Sequence, residues 1–142
     1  MIKASVVLKD NTEAILALLQ GKALAFVAAG GQAIRSEAAA RAPVGKINGG
    51  TLRGSIISEP FVEDGIPVSE TGPTAKYAEY VEYGTGIYAA NGQGRKTPWI
   101  YFSEELQRFV KTNGMEAQPF MEPGYQAAIP TINNLRDRIL KL

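Results

Sequence analysis

Residues 12–42 hold no proline, eleven of them are alanine, and Leu16, Leu19, Ala23, Phe26, Gly30, Ile34 and Ala38 recur at steps of three or four. Such steps place all seven on one face of an α-helix. Unbroken, that helix would be about 45 Å long at 1.5 Å per residue, more than a chain of 142 residues needs to cover one small sheet. One end is therefore expected to project or to meet a neighbour. Gly21 and the Gly30-Gly31 pair each weaken the helix by about 1 kcal/mol relative to alanine. Two readings of these glycines stand open: simple tolerance in alanine-rich surroundings, or a bend or close approach of another backbone. Pro43 ends the helix, because the residue before a proline is biased away from the helical region. Arg35 and Arg41 then lie near the terminus where the helix dipole favours cations.

Upstream, Ile2, Ala4, Val6 and Leu8 alternate with Lys3, Ser5 and Lys9, the period of a half-buried strand. Asp10 followed by Glu13 resembles a helix N-cap with its capping-box partner. Downstream, residues 44–50 form a glycine-rich loop, and residues 52–62 and 66–69 read as two antiparallel strands around the Glu63-Asp64-Gly65 turn. Pro60 and Pro67 suit edges or bulges. Residues 77–83 fit both periods and are assigned to a short helix. A Gly- and Asn-rich loop covers residues 84–96, and residues 99–103 and 106–112 read as a hairpin around Glu104-Glu105. Pro123 opens a last helix to Leu142 with an apolar stripe at Ala127, Ala128, Ile132, Leu135, Ile139 and Leu142, and Pro130 is a point for a kink. The fold class expected is α+β: a long N-terminal and a C-terminal helix packed on a small antiparallel sheet with hairpins, as one domain over residues 1–142.

The chain lacks both histidine and cysteine. That removes the Ser/His/Asp triad, imidazole and thiolate ligands, a thiol nucleophile and disulfides. A net charge of +1 argues against a protein whose main task is neutralising DNA phosphates or anionic lipid. The charged fraction of 20% is below the ordinary ~25% and suits a subunit that buries part of its surface in an assembly. The N-terminal residues lack an apolar signal core, and no window approaches 18 unbroken apolar residues. The expectation is a soluble protein assembled in a cytoplasm, with no membrane partner, metal or cofactor.

Residues 45–52 (GKINGGTL) contain glycines and a lysine but follow a helix, whereas a phosphate-binding P-loop follows a strand and opens one. Glu79 and Glu82 are the one carboxylate pair to weigh for hydrolytic chemistry, against ordinary surface or interface charges. Arg35, Arg41, Lys46, Arg53, Arg95 and Lys96 are weighed as a DNA-facing patch against local structural roles. Tyr77, Tyr80 and Tyr83 are weighed as base-stacking groups against packing at a core edge or a protein interface.

Three blocks in order, AARAPVGKINGGTLRGSI (39–56), YAEYVEYGTG (77–86) and GMEAQPFMEPGYQAA (114–128), resemble the small neck proteins of long-tailed bacteriophages, the tail-completion or head-tail joining proteins. The first is similar to that family's alanine-rich helix, Ala-Pro-Val, short turn and Leu-Arg-x-Ser-Ile. The second is similar to its Tyr-Ala-x-Tyr-Val-Glu-aromatic-Gly-Thr, and the third to its Gln-Pro-Phe approach to the last helix. Two positions depart from the pattern. Val44 is followed by Gly45-Lys46-Ile47-Asn48 where Asp-Thr-Gly is frequent, and Gly124 stands where alanine is common.

The resemblance implies a non-enzymatic virion protein without cofactors. It implies a homo-oligomeric ring, commonly a hexamer, between the DNA-filled head and the tail tube. Its partners would be the adjoining head-closure or connector protein and the tail-tube or tail-terminator protein, with DNA close to the lumen. An assembly factor that leaves the finished particle is the alternative, and a carboxylate-dependent hydrolase a remote one. By the same resemblance Pro43 and Val44 end the helix, and Thr51, Leu52, Arg53 and Ser55 begin the strand that ties it to the sheet. Within the tyrosine block of Tyr77 and Val81, the residues Tyr80, Glu82, Gly84 and Thr85 either face a neighbour or pack within the subunit. Replacing Glu82 is expected to spare folding and weaken assembly. Pro119, Phe120 and Met121 are expected to dock the last helix rather than touch a partner.

Overall fold

The computed structural model describes residues 4–45 and 49–141. The long helix is α1 (Thr12–Arg41), and Ala42 leaves the helical region at ψ 128° directly before Pro43. Then follow a helical turn α2 (Thr51–Ser55), strands β1 (Ile56–Glu63) and β2 (Ile66–Pro73), and α3 (Ala78–Tyr83). A 3-10 turn (Gly86–Tyr88), β3 (Trp99–Ser103), β4 (Arg108–Thr112) and α4 (Met121–Ile139) complete the order. The fold is α+β with two terminal helices and hairpins, as expected, but the strands form two separate antiparallel ribbons, β1–β2 and β3–β4. Pro60 lies opposite Ser69, and Pro67 opposite Val62. Each strand of a two-stranded ribbon is an edge, so neither missing N–H interrupts a central ladder.

Three local expectations are corrected. Of the strand expected over residues 2–8, Ile2 and Lys3 lie outside the described residues, and residues 4–9 form none. Val6, Val7 and Leu8 are fully exposed; alternation makes a strand only where a ladder partner exists. Leu52 to Ser55 wind into α2 instead of beginning β1. There Gly50 turns the chain at φ 96°, and the Ser55 hydroxyl donates to the Leu52 carbonyl at 2.8 Å, a local bond that competes with a ladder. Finally, the N-cap position of α1 falls on Asn11, not Asp10, and the Asn11 side chain makes no cap bond. Asp10 accepts the Thr12 hydroxyl and, at 2.9 Å, the Thr12 amide, and these bonds, the hydroxyl foremost, hold its carboxyl below the ordinary value.

α4 returns antiparallel along α1. Gly124 sits on Ala38, Ile132 on Gly30, and the Lys22 ammonium donates to the Lys141 carbonyl at 2.6 Å. A Cβ on Gly124 would lie 2.6 Å from the Ala38 Cα, so the departure from alanine at this position falls where the backbones of the two helices approach closely. Another face of α1 carries the β1–β2 ribbon. At Gly31 the absent side chain leaves room for Ser58, Ser69 and Thr71, whose hydroxyls bond one another at 3.0 and 3.1 Å. Arg35 fastens this joint by donating from Nε to the Ile56 carbonyl at 2.8 Å.

The core gathers at the C-terminal end of α1: Ala38, Ala42, Leu52, Ile56, Ala78, Val81 and Phe120 are buried together, with Met115 and Met121 packed against them. Because α4 ends level with Lys22, the first turns of α1 extend past it, and Ile15, Leu16, Leu18 and Leu19 remain exposed. By length and composition α1 is apolar enough to cross a membrane; its C-terminal half is instead occupied by α4 and the ribbon.

Gly124→Ala should destabilise the fold by about 1–3 kcal/mol in urea unfolding, because the added methyl forces the helices apart. Helix propensity alone predicts the opposite sign, a gain of about 1 kcal/mol. A gain would contradict the α1–α4 packing described here.

Candidate functional site

The second sequence block forms α3 and the turn after it. α3 has two sides: Ala78, Val81 and Glu82 are buried, whereas Tyr77, Glu79, Tyr80 and Tyr83 are exposed. Glu82, only 8% exposed, is turned into the protein, where it meets the start of α4. One carboxylate oxygen accepts the amides of Phe120 at 2.7 Å and Met121 at 3.0 Å, and the other accepts Glu122 at 3.1 Å. Pro123 has no amide, and the helical ladder begins with the Gly124 amide donating to the Phe120 carbonyl at 3.1 Å. Every N-terminal amide of α4 is thus accounted for. Phe120, the residue at the N-cap position, has no side-chain acceptor of its own, so an acid 38 residues earlier performs the cap. A negative charge at this terminus is also favoured by the helix dipole. Glu82 is thus engaged within the chain.

Gly84 and Thr85 are held internally too. Gly84 takes φ 75°, and a Cβ there would lie 2.8–2.9 Å from the Tyr88 carbonyl and from the backbone of Met115 and Ala117. Thr85 and Met115 bond twice: the Thr85 amide donates to the Met115 carbonyl, and the Met115 amide to the Thr85 hydroxyl, both at 2.9 Å. The Gln118 amide donates to the Val81 carbonyl at 2.8 Å. The second and third sequence blocks are therefore one structural unit, zipped side by side.

Two open clefts flank Tyr80. One, of about 430 Å³, brings together Pro43, Thr51, Leu52, Tyr77, Tyr80 and Val81, along with Glu105, Met115 and Gln118. The other, of about 510 Å³, lies between Tyr80, Tyr83, Gly84 and Thr85 and the loop carrying Asn91 and Gln93. Val44 is exposed beside the first. Arg53 reaches back to the Ala42 carbonyl at 3.4 Å, and Ser55 is occupied within α2. Pro119 is exposed, while Phe120 is wholly buried in the core. Glu105, Asn91 and Gln93 were not singled out by sequence, because only the folding back of the loops brings them here.

The carboxylates of Glu79 and Glu82 do not act as a pair, since Glu82 is committed to α4 and Glu79 faces outward. The basic residues are likewise tied to local tasks. Arg35 holds β1, Arg41 pairs with Glu37, Arg95 lies 5.6 Å over the Trp99 ring, and Lys96 donates to the Gly92 carbonyl; Lys46 lies outside the described residues. Among the described residues no group of His, Cys, Asp or Glu is placed to hold a metal ion.

The structure is an α+β fold with short internal fastenings and exposed tyrosine-lined clefts. The profile of the HK97-gp10-like family, a bacteriophage tail-component family, matches residues 7–84, and the chain belongs to that family. The match runs from before α1 through the β1–β2 ribbon and α3 to Gly84, the residue that follows it. No curated protein and no solved structure matches the chain.

Glu82→Ala should cost about 3 kcal/mol in unfolding free energy, because three amides at a helix terminus lose a charged acceptor. Glu82→Gln, which keeps one acceptor oxygen, should cost less. Hydrogen exchange should accelerate first at residues 120–122, and an unchanged rate there would refute the capping role.

Proposed function

We propose that this tail component is a ring-forming subunit of the phage neck, a hexamer by its resemblance, that joins the DNA-filled head to the tail or completes the tail tube. The observation that carries the reading is surface area. The chain exposes 10,484 Å², whereas a compact monomer of 15.2 kDa exposes about 7,100 Å². An excess of this size, with Ile15, Leu18, Ile66, Ile100 and Phe109 among the exposed apolar residues, is what a subunit has before neighbours cover it. A closed ring needs a heterologous interface, two different patches of one chain that meet across copies. The projecting end of α1, the two ribbons and the tyrosine side of α3 supply separate patches.

In this reading the neighbours are further copies of the chain, a head-closure or connector protein on one side, and a tail-tube or terminator protein on the other. Assembly takes place in the host cytoplasm and the protein stays in the virion. A balanced charge suits a channel through which DNA slides, since strong phosphate neutralisation would hold it. Tyr77, Tyr80 and Tyr83 are the interface side of α3, where tyrosine adds contact area at low entropic cost.

Deleting the gene from its phage should leave full heads apart from finished tails in negative-stain images. Tails of irregular length would assign it to length termination, and normal joined particles would refute the neck role. Mass spectrometry of purified particles should find the chain; its absence there would make it a transient assembly factor. Tyr80→Ala should alter unfolding free energy by no more than about 0.5 kcal/mol, as for an exposed side chain, yet reduce the yield of joined particles.

A further inference from the structure

The two ribbons present outer faces of complementary chemistry. In β1–β2 the inner face, with Ser58, Ser69 and Thr71, lies on α1. Strand alternation puts Ile57, Glu59, Phe61 and Glu63, opposite Gly72, Glu70, Val68 and Ile66, on the other face. That face is apolar and acidic. Ile66 is 64% exposed, and Glu59 stands directly across from Glu70. Like charges opposite one another destabilise a strand pair, and among the described residues neither carboxylate has a salt-bridge partner. A shallow groove of about 290 Å³ runs beside them, lined by Ile57, Glu59, Glu70 and Gly72.

In β3–β4 alternation puts Trp99, Tyr101, Ser103, Arg108, Val110 and Thr112 on one face, where Ser103 is buried, Trp99, Val110 and Thr112 are half-buried, and Tyr101 and Arg108 are exposed. The opposite face carries Ile100, Phe102, Phe109 and Lys111. It is apolar and basic. Ile100 and Phe109 are 67% and 74% exposed, and the Phe102 and Phe109 rings meet edge to face at 5.3 Å. A two-stranded hairpin is marginally stable unless something covers it.

We infer that the outer face of β3–β4 in one copy docks on the outer face of β1–β2 in the next copy of this chain, with Lys111 against the Glu59/Glu70 pair and Phe102 and Phe109 against Ile57, Phe61 and Val68. The inference rests on the ring reading above and names its interface. The contact is heterologous, so each copy offers one face forward and the other backward, and rotation can close the set. Five-residue strands cover the central part of eight-residue ones, where the acidic pair lies. Stacking would cover the exposed face of β3–β4 and the outer face of β1–β2, whose inner face already lies on α1.

Because the chain contains no cysteine, a Phe61→Cys, Phe109→Cys double variant has only the two introduced thiols. Oxidised with copper phenanthroline, both as purified protein and within assembled particles, it should give a ladder of linked copies. Phe61→Cys with Gln126→Cys is the control and should give none. Lys111→Glu or Glu70→Lys should each cut the linked yield by about tenfold through like-charge contact or loss of the pair. Combining the Lys111→Glu hairpin with the Glu70→Lys ribbon should restore it. Glu70→Lys should also leave the melting temperature of the monomer equal or higher, since it removes the repulsion from Glu59, which separates an assembly defect from misfolding. Rings visible in particles without 61–109 links would overturn this pairing and leave the ring reading standing. Links between copies in particles that hold no ring would support the pairing and overturn the ring. Neither links nor rings would overturn both.

Discussion

The arrangement depends on one carboxylate. α4 begins after a phenylalanine with no capping side chain, and its first amides, that of Phe120 buried and those of Met121 and Glu122 part-buried, would be left without a protein partner, at a cost of up to roughly 1–3 kcal/mol for a buried one. Glu82 collects all three. In doing so it fixes α3 against the start of α4, places Phe120 in the core and draws the chain before it along residues 81–87, where the Thr85–Met115 and Gln118–Val81 bonds form. The exposed side of α3 is a consequence: with Glu82 and Val81 turned inward, Tyr77, Tyr80 and Tyr83 are left outward.

Close backbone approach is the second constraint. Gly124 lets α4 lie on Ala38, and Gly31 lets the ribbon's hydroxyl cluster lie on α1. Small residues at these joints allow two layers to share one helix, and the compact core needs few large side chains; Phe120 and Ile56 are the largest that are fully buried. Among the described residues, many large apolar side chains, Ile15, Leu18, Ile66, Ile100 and Phe109 among them, remain exposed. A core confined to one end of a long helix leaves the projecting segments of α1 and the ribbons uncovered by the chain itself.

The membership of a phage tail-component family and the exposed area point the same way, from independent grounds. The family profile stops at Gly84, and the β3–β4 hairpin lies beyond it. The β1–β2 ribbon and α3 lie inside it. The two ribbon faces paired in the inference therefore come from both parts of the chain, the matched and the unmatched.

The sequence by itself determined the features that are local. The 3.6-residue period and the absence of proline made α1, Pro43 ended it, and the Glu63-Asp64-Gly65 and Glu104-Glu105 turns set both hairpins. Pro123 marked the first turn of α4, although the helix starts two residues earlier at Met121. The tyrosine block was legible as a helix but its orientation was not, and Glu82 looked as free to face a neighbour as Glu79. Residues 4–9 had the period of a strand and no strand to pair with, and Leu52 to Ser55 had strand-like neighbours but a serine that closed a turn. What the tertiary structure alone decided was partnership: which acid caps which helix, which glycine admits which backbone, and which half of the α1 stripe is covered. The physical reason is that periodicity and turn chemistry act within a few residues, whereas a hydrogen bond between positions 82 and 120 is satisfied only after the chain has folded back on itself.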